Sequence, residues 1–146
     1  MKFLLDANAL IDLANESEFA GNIAVRLDAV GVRNCALSAV TVEELQFGVL
    51  TGPGAKKAYQ VRNLKALLAK FAQLDFTPDA ARRAAQARAA LMIHKFARRE
   101  RPPGVVAILL AGHAMAARRT LVTADFGLNA IKGVRLENWR TRIQGL

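Results

Sequence analysis

The sequence predicts an α/β fold, a three-layer α/β/α sandwich built around a short and mostly parallel sheet. Short apolar stretches that suit buried strands alternate with longer stretches in which apolar residues recur at helical spacing. The chain of 146 residues has the usual length of one domain, and no internal repeat or linker divides it. We therefore expect a single domain over residues 1–146.

The predicted strands and helices cover most of the chain. Strands are expected in the short apolar stretches 2–6, 35–38, 74–76, 120–123 and 134–136. Helices are expected in the stretches with helical spacing, 7–15, 19–30, 41–51, 56–73, 78–100 and 105–117. Asn8 and Thr41 are placed to cap two of these helices, and Gly31 ends another. Glycine and proline near 52–54 and 102–104 separate helices from one another.

The chain is strongly basic. Lysine and arginine number 21 against 12 aspartate and glutamate, which gives a net charge of +9 and a pI near 10.6. Most of the basic residues are arginines, whose guanidinium group binds phosphate through paired hydrogen bonds. This surplus favours a polyanionic partner, which is nucleic acid, an acidic membrane surface or an acidic protein. A GC-rich coding bias, which increases alanine and arginine together, is the alternative explanation.

Several classes of protein are disfavoured by the same composition. No apolar run approaches the length of about 20 residues that crosses a bilayer. Asp6 and Asp12 interrupt the apolar N-terminal stretch, so we expect neither a secretory leader nor a membrane partner. The single cysteine, Cys35, has no partner for an intrachain disulfide, and its apolar neighbours predict a small core residue rather than a nucleophile. A cytoplasmic protein is the expectation.

Three acidic residues are expected at one edge of the predicted sheet. Asp6 ends the first strand, Glu44 lies in the first turn of the helix after the second strand, and Asp125 follows the strand at 120–123. Open α/β sheets bind ligands beyond the carboxyl ends of their strands. Three carboxylates held together repel one another unless a cation neutralises them, and oxygen ligands suit Mg²⁺ or Mn²⁺. In a basic protein, such a site predicts hydrolysis of a phosphodiester.

Each of these acids also has a purely structural interpretation. An aspartate after a strand, such as Asp6, is often a helix cap. Glu44 matches the spacing of a capping-box partner of Thr41, and Asp125 suits a turn with Gly127. Glu43 and Asp12 are expected to be solvent-facing neighbours, so the prediction rests on the combination of three acids.

Four segments of the chain, in order and at suitable intervals, resemble the PIN-domain ribonucleases, in particular the VapC toxins of toxin–antitoxin pairs. The segments are Leu4–Ile11, Thr41–Gly48, Leu121–Phe126 and Leu136–Trp139. The resemblance implies an endoribonuclease that depends on Mg²⁺ or Mn²⁺ and cuts tRNA, rRNA or mRNA. It also implies a homodimer, inhibition by a VapB-type antitoxin, and metal ligation by Asp6, Glu44 and Asp125.

One position departs from the family pattern. The family has an aspartate six residues before a His-Ala pair on a buried helix, and here Ala107 precedes His113-Ala114 by that interval. The next candidate acid, Glu100, lies on the other side of Pro102 and Pro103. The resemblance therefore implies that one metal ligand is missing and that this chain is an inactivated or weakened enzyme. An engineered substitution and a naturally degenerate family member both remain open.

Two other functions are consistent with parts of the sequence. A catalytically silent scaffold that binds RNA or an antitoxin is the main alternative, and Ala107 is the residue that separates it from an enzyme. A receiver-like phosphorylation module also places acids at strand ends, but its phosphoacceptor would end the third strand. Asp75 lies within that predicted strand, and no lysine is placed suitably.

The remaining polar and aromatic candidates are expected to be structural. His113 lies on a predicted buried helix, where a hydrogen-bonded core histidine is the favoured interpretation. His94 has basic neighbours and is expected at the surface. Trp139 is expected to anchor the end of the last strand rather than to stack on RNA.

Overall fold

The computed structural model describes the backbone of residues 1–52, 54, 57–98 and 103–142. The side chains of residues 57–60 and 94–98 are outside that description, and so is the whole of Glu100. The expectations for His94 and Glu100 therefore lie outside the described residues. No helix in the described part of the chain is long and apolar enough to span a membrane.

Strands and helices alternate as expected. The strands are β1 (Phe3–Leu5), β2 (Cys35–Ser38), β3 (Ala72–Leu74), β4 (Thr120–Val122) and β5 (Leu136–Glu137). The α-helices are α1 (Ala7–Ala14), α2 (Ala20–Val30), α3 (Ala39–Thr51), α4 (Lys57–Leu68), α5 (Pro78–Arg98) and α6 (Val105–Ala116). Short 3-10 helices occupy Val32–Asn34 and Phe126–Ala130.

The five strands form one parallel sheet in the order β3-β2-β1-β4-β5. Strand β1 lies at the centre, where Leu5 pairs with Leu37 of β2 on one side and with Val122 of β4 on the other. The carboxyl ends of β1, β2 and β4 consequently lie at the same edge of the sheet. The predicted α/β fold with a parallel sheet is confirmed.

Two apolar cores cover the two faces of the sheet. Successive residues of β1 alternate between them, with Phe3 and Leu5 in one core and Leu4 in the other. The first core also takes its side chains from α1 to α4 and from Trp139, and includes the buried Cys35. The second takes its side chains from α5, α6 and the segment after β4. This arrangement is the expected sandwich, and it confirms Cys35 as a core residue.

The caps of two helices differ from the prediction. Asp6, not Asn8, caps α1, and its Oδ1 accepts a hydrogen bond of 3.0 Å from the Ala9 N–H. Ser38, not Thr41, caps α3, and its Oγ accepts a hydrogen bond of 3.1 Å from the Val40 N–H. Thr41 lies inside α3, where its buried hydroxyl donates to the Leu5 carbonyl instead. Serine and aspartate are both strong caps. Helix α1 begins at residue 7 as predicted, whereas α3 begins at Ala39, two residues earlier than predicted.

Two strands are shifted from their predicted positions. Strand β3 is Ala72–Leu74 rather than 74–76, because Leu74 is the last residue that pairs with β2, through Ser38. Phe76 leaves the sheet and places its ring edge-on to that of His113 at 5.5 Å between centroids. Strand β5 is Leu136–Glu137 rather than 134–136, since Leu136 and Glu137 pair with the last two residues of β4.

Helices α5 and α6 approach each other very closely, and a glycine permits it. A Cβ atom added to Gly112 of α6 would lie 2.5 Å from the Ala84 nitrogen of α5. Small side chains on α5, including the buried Ala80, Ala84 and Ala87, form the opposing surface. The close contact fixes α6, and with it position 107, against the second core.

We predict that Gly112→Ala lowers the free energy of unfolding by about 1–3 kcal/mol, because its new methyl group meets backbone atoms that cannot move independently. Gly48→Ala in α3 is a suitable control, since a Cβ at Gly48 meets nothing within 4 Å. That control should raise the free energy of unfolding by about 0.5–1 kcal/mol through helix propensity. Urea denaturation measures both. Equal effects of the two substitutions would contradict the account of this contact.

Candidate active site

The candidate site lies at the carboxyl edge of the sheet, where the chain leaves β1 and β4. The Asp6 N–H donates to the Val122 carbonyl at 3.1 Å, which ties the first residue after β1 to the last residue of β4. Thr123 and Asp125 follow Val122 directly. The parallel register of the two central strands therefore places Asp6 beside the segment that contains Asp125.

Asp6 is a buried carboxylate whose contacts only partly offset the cost of removing its charge from water. Its residue surface is only 7% exposed, and burial raises the pKa of its carboxyl group. Hydrogen bonds from the Ala9 N–H and the Thr123 side chain, and attraction to Arg140, lower the pKa without cancelling that rise. The cap interaction uses Oδ1 alone. A carboxylate has two oxygens, so capping α1 and ligating a cation are compatible roles.

Glu44 lies close enough to Asp6 for their charges to interact. Because α3 begins at Ala39, Glu44 is in the second turn of that helix rather than the first. Burial raises the pKa of the half-buried Glu44 carboxyl, and the negative charges of Asp6 and Glu43 raise it further. The capping-box interpretation of Glu44 is wrong, because Ser38 is the cap of α3. Glu43 is exposed, as expected.

Asp125 makes the turn that its structural interpretation predicted. Its Oδ1 accepts a hydrogen bond of 3.0 Å from the Gly127 N–H and so caps the 3-10 helix Phe126–Ala130. Its own N–H donates to the Thr123 hydroxyl at 3.1 Å. Within the described ranges, no group of three or more His, Cys, Asp and Glu side chains is arranged to hold a metal ion. Asp6 thus lies near enough to Glu44 for its charge to raise the Glu44 pKa, but the described residues do not unite Asp6, Glu44 and Asp125 in one three-ligand cluster.

The pair formed by Asp6 and Glu44 nevertheless fits a hard divalent cation. Both carboxyl groups have raised pKa values, mainly because of burial, and the charge of Asp6 raises the pKa of Glu44 further. A cation between them would relieve that repulsion. Mg²⁺ retains several water ligands and is commonly held by one or two carboxylates, so it does not require a closed cage of protein ligands.

Ala107 is the third residue of α6, and its side chain packs against the second core. It is half-buried, whereas Val105 and Val106 before it are exposed. Gly104 precedes the helix without a side-chain cap. The α6 N-terminus also lies near the Asp125 turn, because a Cβ at Gly127 would be 3.1 Å from Pro103 Cγ. An acid at position 107 would therefore enter the first turn of a helix that begins near Asp125.

The model of one protein family, the PIN domain, matches residues 3–134. The chain belongs to the PIN domain family. No curated protein sequence is significantly similar to this chain.

Solved PIN-domain structures from toxin–antitoxin complexes are similar to the chain over nearly its whole length. VapBC2 from Rickettsia felis, bound to a promoter DNA fragment, is 26% identical with a TM-score of 0.81, and the match covers 95% of this chain and 99% of that one. FitAcB from Neisseria gonorrhoeae is 26% identical with a TM-score of 0.80, covering 94% and 97%. DNA-bound VapBC from Salmonella typhimurium is 26% identical with a TM-score of 0.77, covering 95% and 98%. The expected resemblance is confirmed.

Three residues of this PIN domain that contact the site were missed by the sequence analysis. Asp12 was expected at the surface, but it is 6% exposed and forms an ion pair with Arg140. The Thr123 side chain lowers the pKa of Asp6, and its hydroxyl accepts a hydrogen bond from the Asp125 N–H. A threonine two residues before an aspartate after a strand is a recognisable turn signal. Nothing local in the sequence indicates the Asp12–Arg140 pair, whose members are 128 residues apart.

The described histidine and the tryptophan of this PIN domain are structural, as expected. His113 is 2% exposed, and its Nδ1 lies 2.8 Å from the Ser38 hydroxyl. Burial lowers the pKa of His113, as does the charge of Arg119, so the imidazole is neutral at physiological pH. The buried Trp139 packs edge-on against Phe3 and donates to Glu137 Oε2 at 2.7 Å.

We predict that Asp6→Asn stabilises the metal-free protein near neutral pH. Asparagine preserves the helix cap and removes a charge that burial disfavours. Folding raises the pKa of Asp6 above its ordinary value of 3.8. The stability of the unaltered protein therefore falls as the pH rises from 3.8 through the pKa of Asp6 in the folded protein. The difference between the two proteins should therefore be small near pH 3.8 and grow until Asp6 is ionised. Denaturation in EDTA at several pH values measures it, and a difference independent of pH would contradict the burial argument.

Proposed function

We propose that this PIN domain is the VapC-type toxin of a toxin–antitoxin pair, an endoribonuclease that uses Mg²⁺ or Mn²⁺ and acts in the cytoplasm. The observation that supports it most is the buried Asp6 carboxylate at the carboxyl edge of the sheet, whose negative charge raises the pKa of the half-buried Glu44. A fold of this family at 26% identity to VapBC and FitAcB structures gives the pair its biological context.

The proposed chemistry divides between the cation and the side chains around it. A bound divalent cation lowers the pKa of a coordinated water and offsets the charge that develops on phosphorus. Asp6 and Glu44 hold the cation, and Thr123 orients Asp6 through its hydroxyl. Asp125 is the third proposed ligand, through the oxygen that the Gly127 turn does not use.

RNA is the proposed substrate because the site is acidic while the protein as a whole is strongly basic. The net charge of +9 favours association with a polyanion. Exposed basic residues are found in α4, in α5 and on the loops around β4 and β5, among them Arg62, Lys65, Arg82, Arg88, Arg118, Lys132, Arg135 and Arg142. These side chains bind the phosphates of tRNA, rRNA or mRNA while the carboxylate pair binds the cation.

An apolar groove beside the acidic site supports a VapB-type antitoxin as partner. The groove has a volume of about 870 Å³ and lies between α1, α3 and α4. Apolar side chains dominate it, such as Leu10, Leu64 and Leu67, and Glu44 is part of its wall. Val49 also lines it, while Phe47 and Leu50 on the same helix are exposed. An amphipathic helix of the antitoxin fits this groove, with a basic side chain that reaches the carboxylates.

Exposed apolar residues on α4 and α5 support the proposed homodimer. Val61 of α4 is exposed. Met92 and Ile93, which are consecutive residues of α5, are also exposed, Ile93 at 74%. A two-fold symmetric pair that buries them would join two basic surfaces into one RNA-binding surface.

Ala107 determines whether this chain is a weakened enzyme or a silent scaffold. In the weakened enzyme, an acid at position 107 completes the set of carboxylates, and its absence lowers the occupancy of a second cation. In the silent scaffold, which binds RNA or an antitoxin without cutting, position 107 never contributed to catalysis. The half-buried Ala107 in the first turn of α6, near the Asp125 turn, favours the weakened enzyme.

We predict that Ala107→Asp increases Mg²⁺-dependent RNA cleavage by about a hundredfold or more, through added electrostatic stabilisation. Ala107→Asn is the matched control, since it has the same shape without the charge and should gain little. Adding Glu44→Gln to Ala107→Asp should abolish the gain, as should EDTA. Cleavage of a 5′-labelled RNA and growth arrest on expression are the measurements. If Ala107→Asp gains neither, the silent scaffold becomes the better description.

We predict that Gly48→Arg prevents the antitoxin from binding. Gly48 lines the groove, and a side chain there meets nothing within 4 Å, so the arginine fills the groove without disturbing the core. Gly21→Arg in α2 is the matched control, because Gly21 is equally open and lies outside the groove. Co-expression with the cognate VapB-type antitoxin, followed by affinity purification, compares them. Retention of the partner by Gly48→Arg would contradict the proposed groove.

A further inference from the structure

A partly buried ion pair joins the segment after β5 to helix α1. Arg140 donates from Nε to Asp12 Oδ2 at 2.8 Å and from Nη2 to Asp12 Oδ1 at 3.3 Å. The Asp12 side chain is almost completely buried, and the Arg140 side chain is 33% exposed. Two parallel hydrogen bonds of this kind define both the distance and the orientation of the groups that they join.

Arg140 is held by three further contacts from different parts of the chain. Its guanidinium carbon lies 4.6 Å from the centre of the ring of Phe19, the residue that immediately precedes α2. Its carbonyl accepts a hydrogen bond of 2.7 Å from Asn22 Nδ2 in α2, and its N–H donates to Asn138 Oδ1 at 3.0 Å. The guanidinium is therefore a fixed group rather than a mobile surface cation.

The ion pair is part of the surroundings of Asp6. Asp6, Asp12, Thr123 and Arg140 line the same small cleft at the edge of the sheet. Asp6 caps α1, and Asp12 lies in the last turns of that helix, so any rotation of α1 moves both carboxylates. Asp6 is attracted by Arg140 and repelled by Asp12, which makes its position sensitive to both.

We infer that Arg140 is a positioning residue, which through Asp12 fixes α1 and thereby holds the Asp6 carboxylate in place before a cation binds. This inference rests on the proposed function, since it assigns Arg140 a role toward the cation site. A direct phosphate contact is a weaker explanation, because Asp12 already neutralises the guanidinium through two of its nitrogens. Arg140 keeps the Asp6 carboxylate in the orientation in which it binds the cation. Without Arg140, that carboxylate would have to reorient when the cation binds.

The test compares Arg140→Met with Arg26→Met. Arg26 is a matched control because it is also a partly buried arginine in an ion pair near β5, with Glu137 at 3.7 Å, and it does not contact Asp6 or Asp12. Mn²⁺ affinity is measured by titration with electron paramagnetic resonance, well below the unfolding temperature of each protein. The ¹⁵N–¹H signal of Ala9, whose N–H donates to Asp6, reports the position of that carboxylate without metal.

We expect Arg140→Met to weaken Mn²⁺ binding by about tenfold and to shift the Ala9 signal of the metal-free protein. Arg140→Lys should recover part of the affinity, because lysine keeps the charge but only one contact to Asp12. It also provides the measurement if Arg140→Met does not fold. Arg26→Met should leave both readouts unchanged, even with an equal loss of thermal stability.

Three results would overturn the inference. The first is an Arg140→Met protein that binds Mn²⁺ as tightly as the unaltered chain. The second is an equal loss of affinity in Arg26→Met, which would show a general effect of stability. The third is an unaltered protein that binds no Mn²⁺, in which case the proposed cation site fails together with the inference. The first two results leave the proposed function intact. Failure of the Arg140 inference can therefore be distinguished from failure of the proposed function.

Discussion

The repulsion between Asp6 and Glu44 is the constraint on which the account of this molecule depends. The Asp6 carboxyl group is buried and that of Glu44 is half-buried, and the charge of Asp6 makes ionisation of Glu44 still less favourable. The fold maintains this arrangement because Asp6 follows the central strand directly and caps α1, while Ser38 fixes the start of α3. A protein gains no stability from placing two acids in this way. The arrangement is accounted for if a cation binds there.

The contacts around the pair are consistent with a site that is formed before its ligand arrives. Thr123 lowers the pKa of Asp6 and accepts a hydrogen bond from the backbone of Asp125, and Arg140 forms an ion pair with Asp12 on the helix that Asp6 caps. On the opposite side, the apolar groove extends to Glu44. One carboxylate thus belongs both to the candidate active site and to the wall of the groove. A partner in that groove would reach the acids without any change in the fold.

The sequence predicted the fold, and it predicted that Asp6 directly follows the central strand, because both depend on local patterns. Apolar strands and helical spacing defined the sandwich, and the position of Asp6 and Glu44 after strands placed them at one edge. The errors arose where tertiary contacts decide. Thr41 has a capping pattern, yet its hydroxyl bonds to Leu5 and Ser38 caps the helix. Asp12 has the pattern of a surface residue, and a partner 128 residues away buries it.

Anomalous X-ray scattering from crystals grown with Mn²⁺ tests the central claim most directly, since it locates the cation independently of any assay. The account predicts a manganese peak at about 2 Å from side-chain oxygens of both Asp6 and Glu44, the usual length of such a coordination bond. If Asp125 contributes as the third proposed ligand, its side-chain oxygens should face the same manganese peak. A well-ordered crystal with no peak between Asp6 and Glu44, at a Mn²⁺ concentration that saturates binding in solution, would contradict the account.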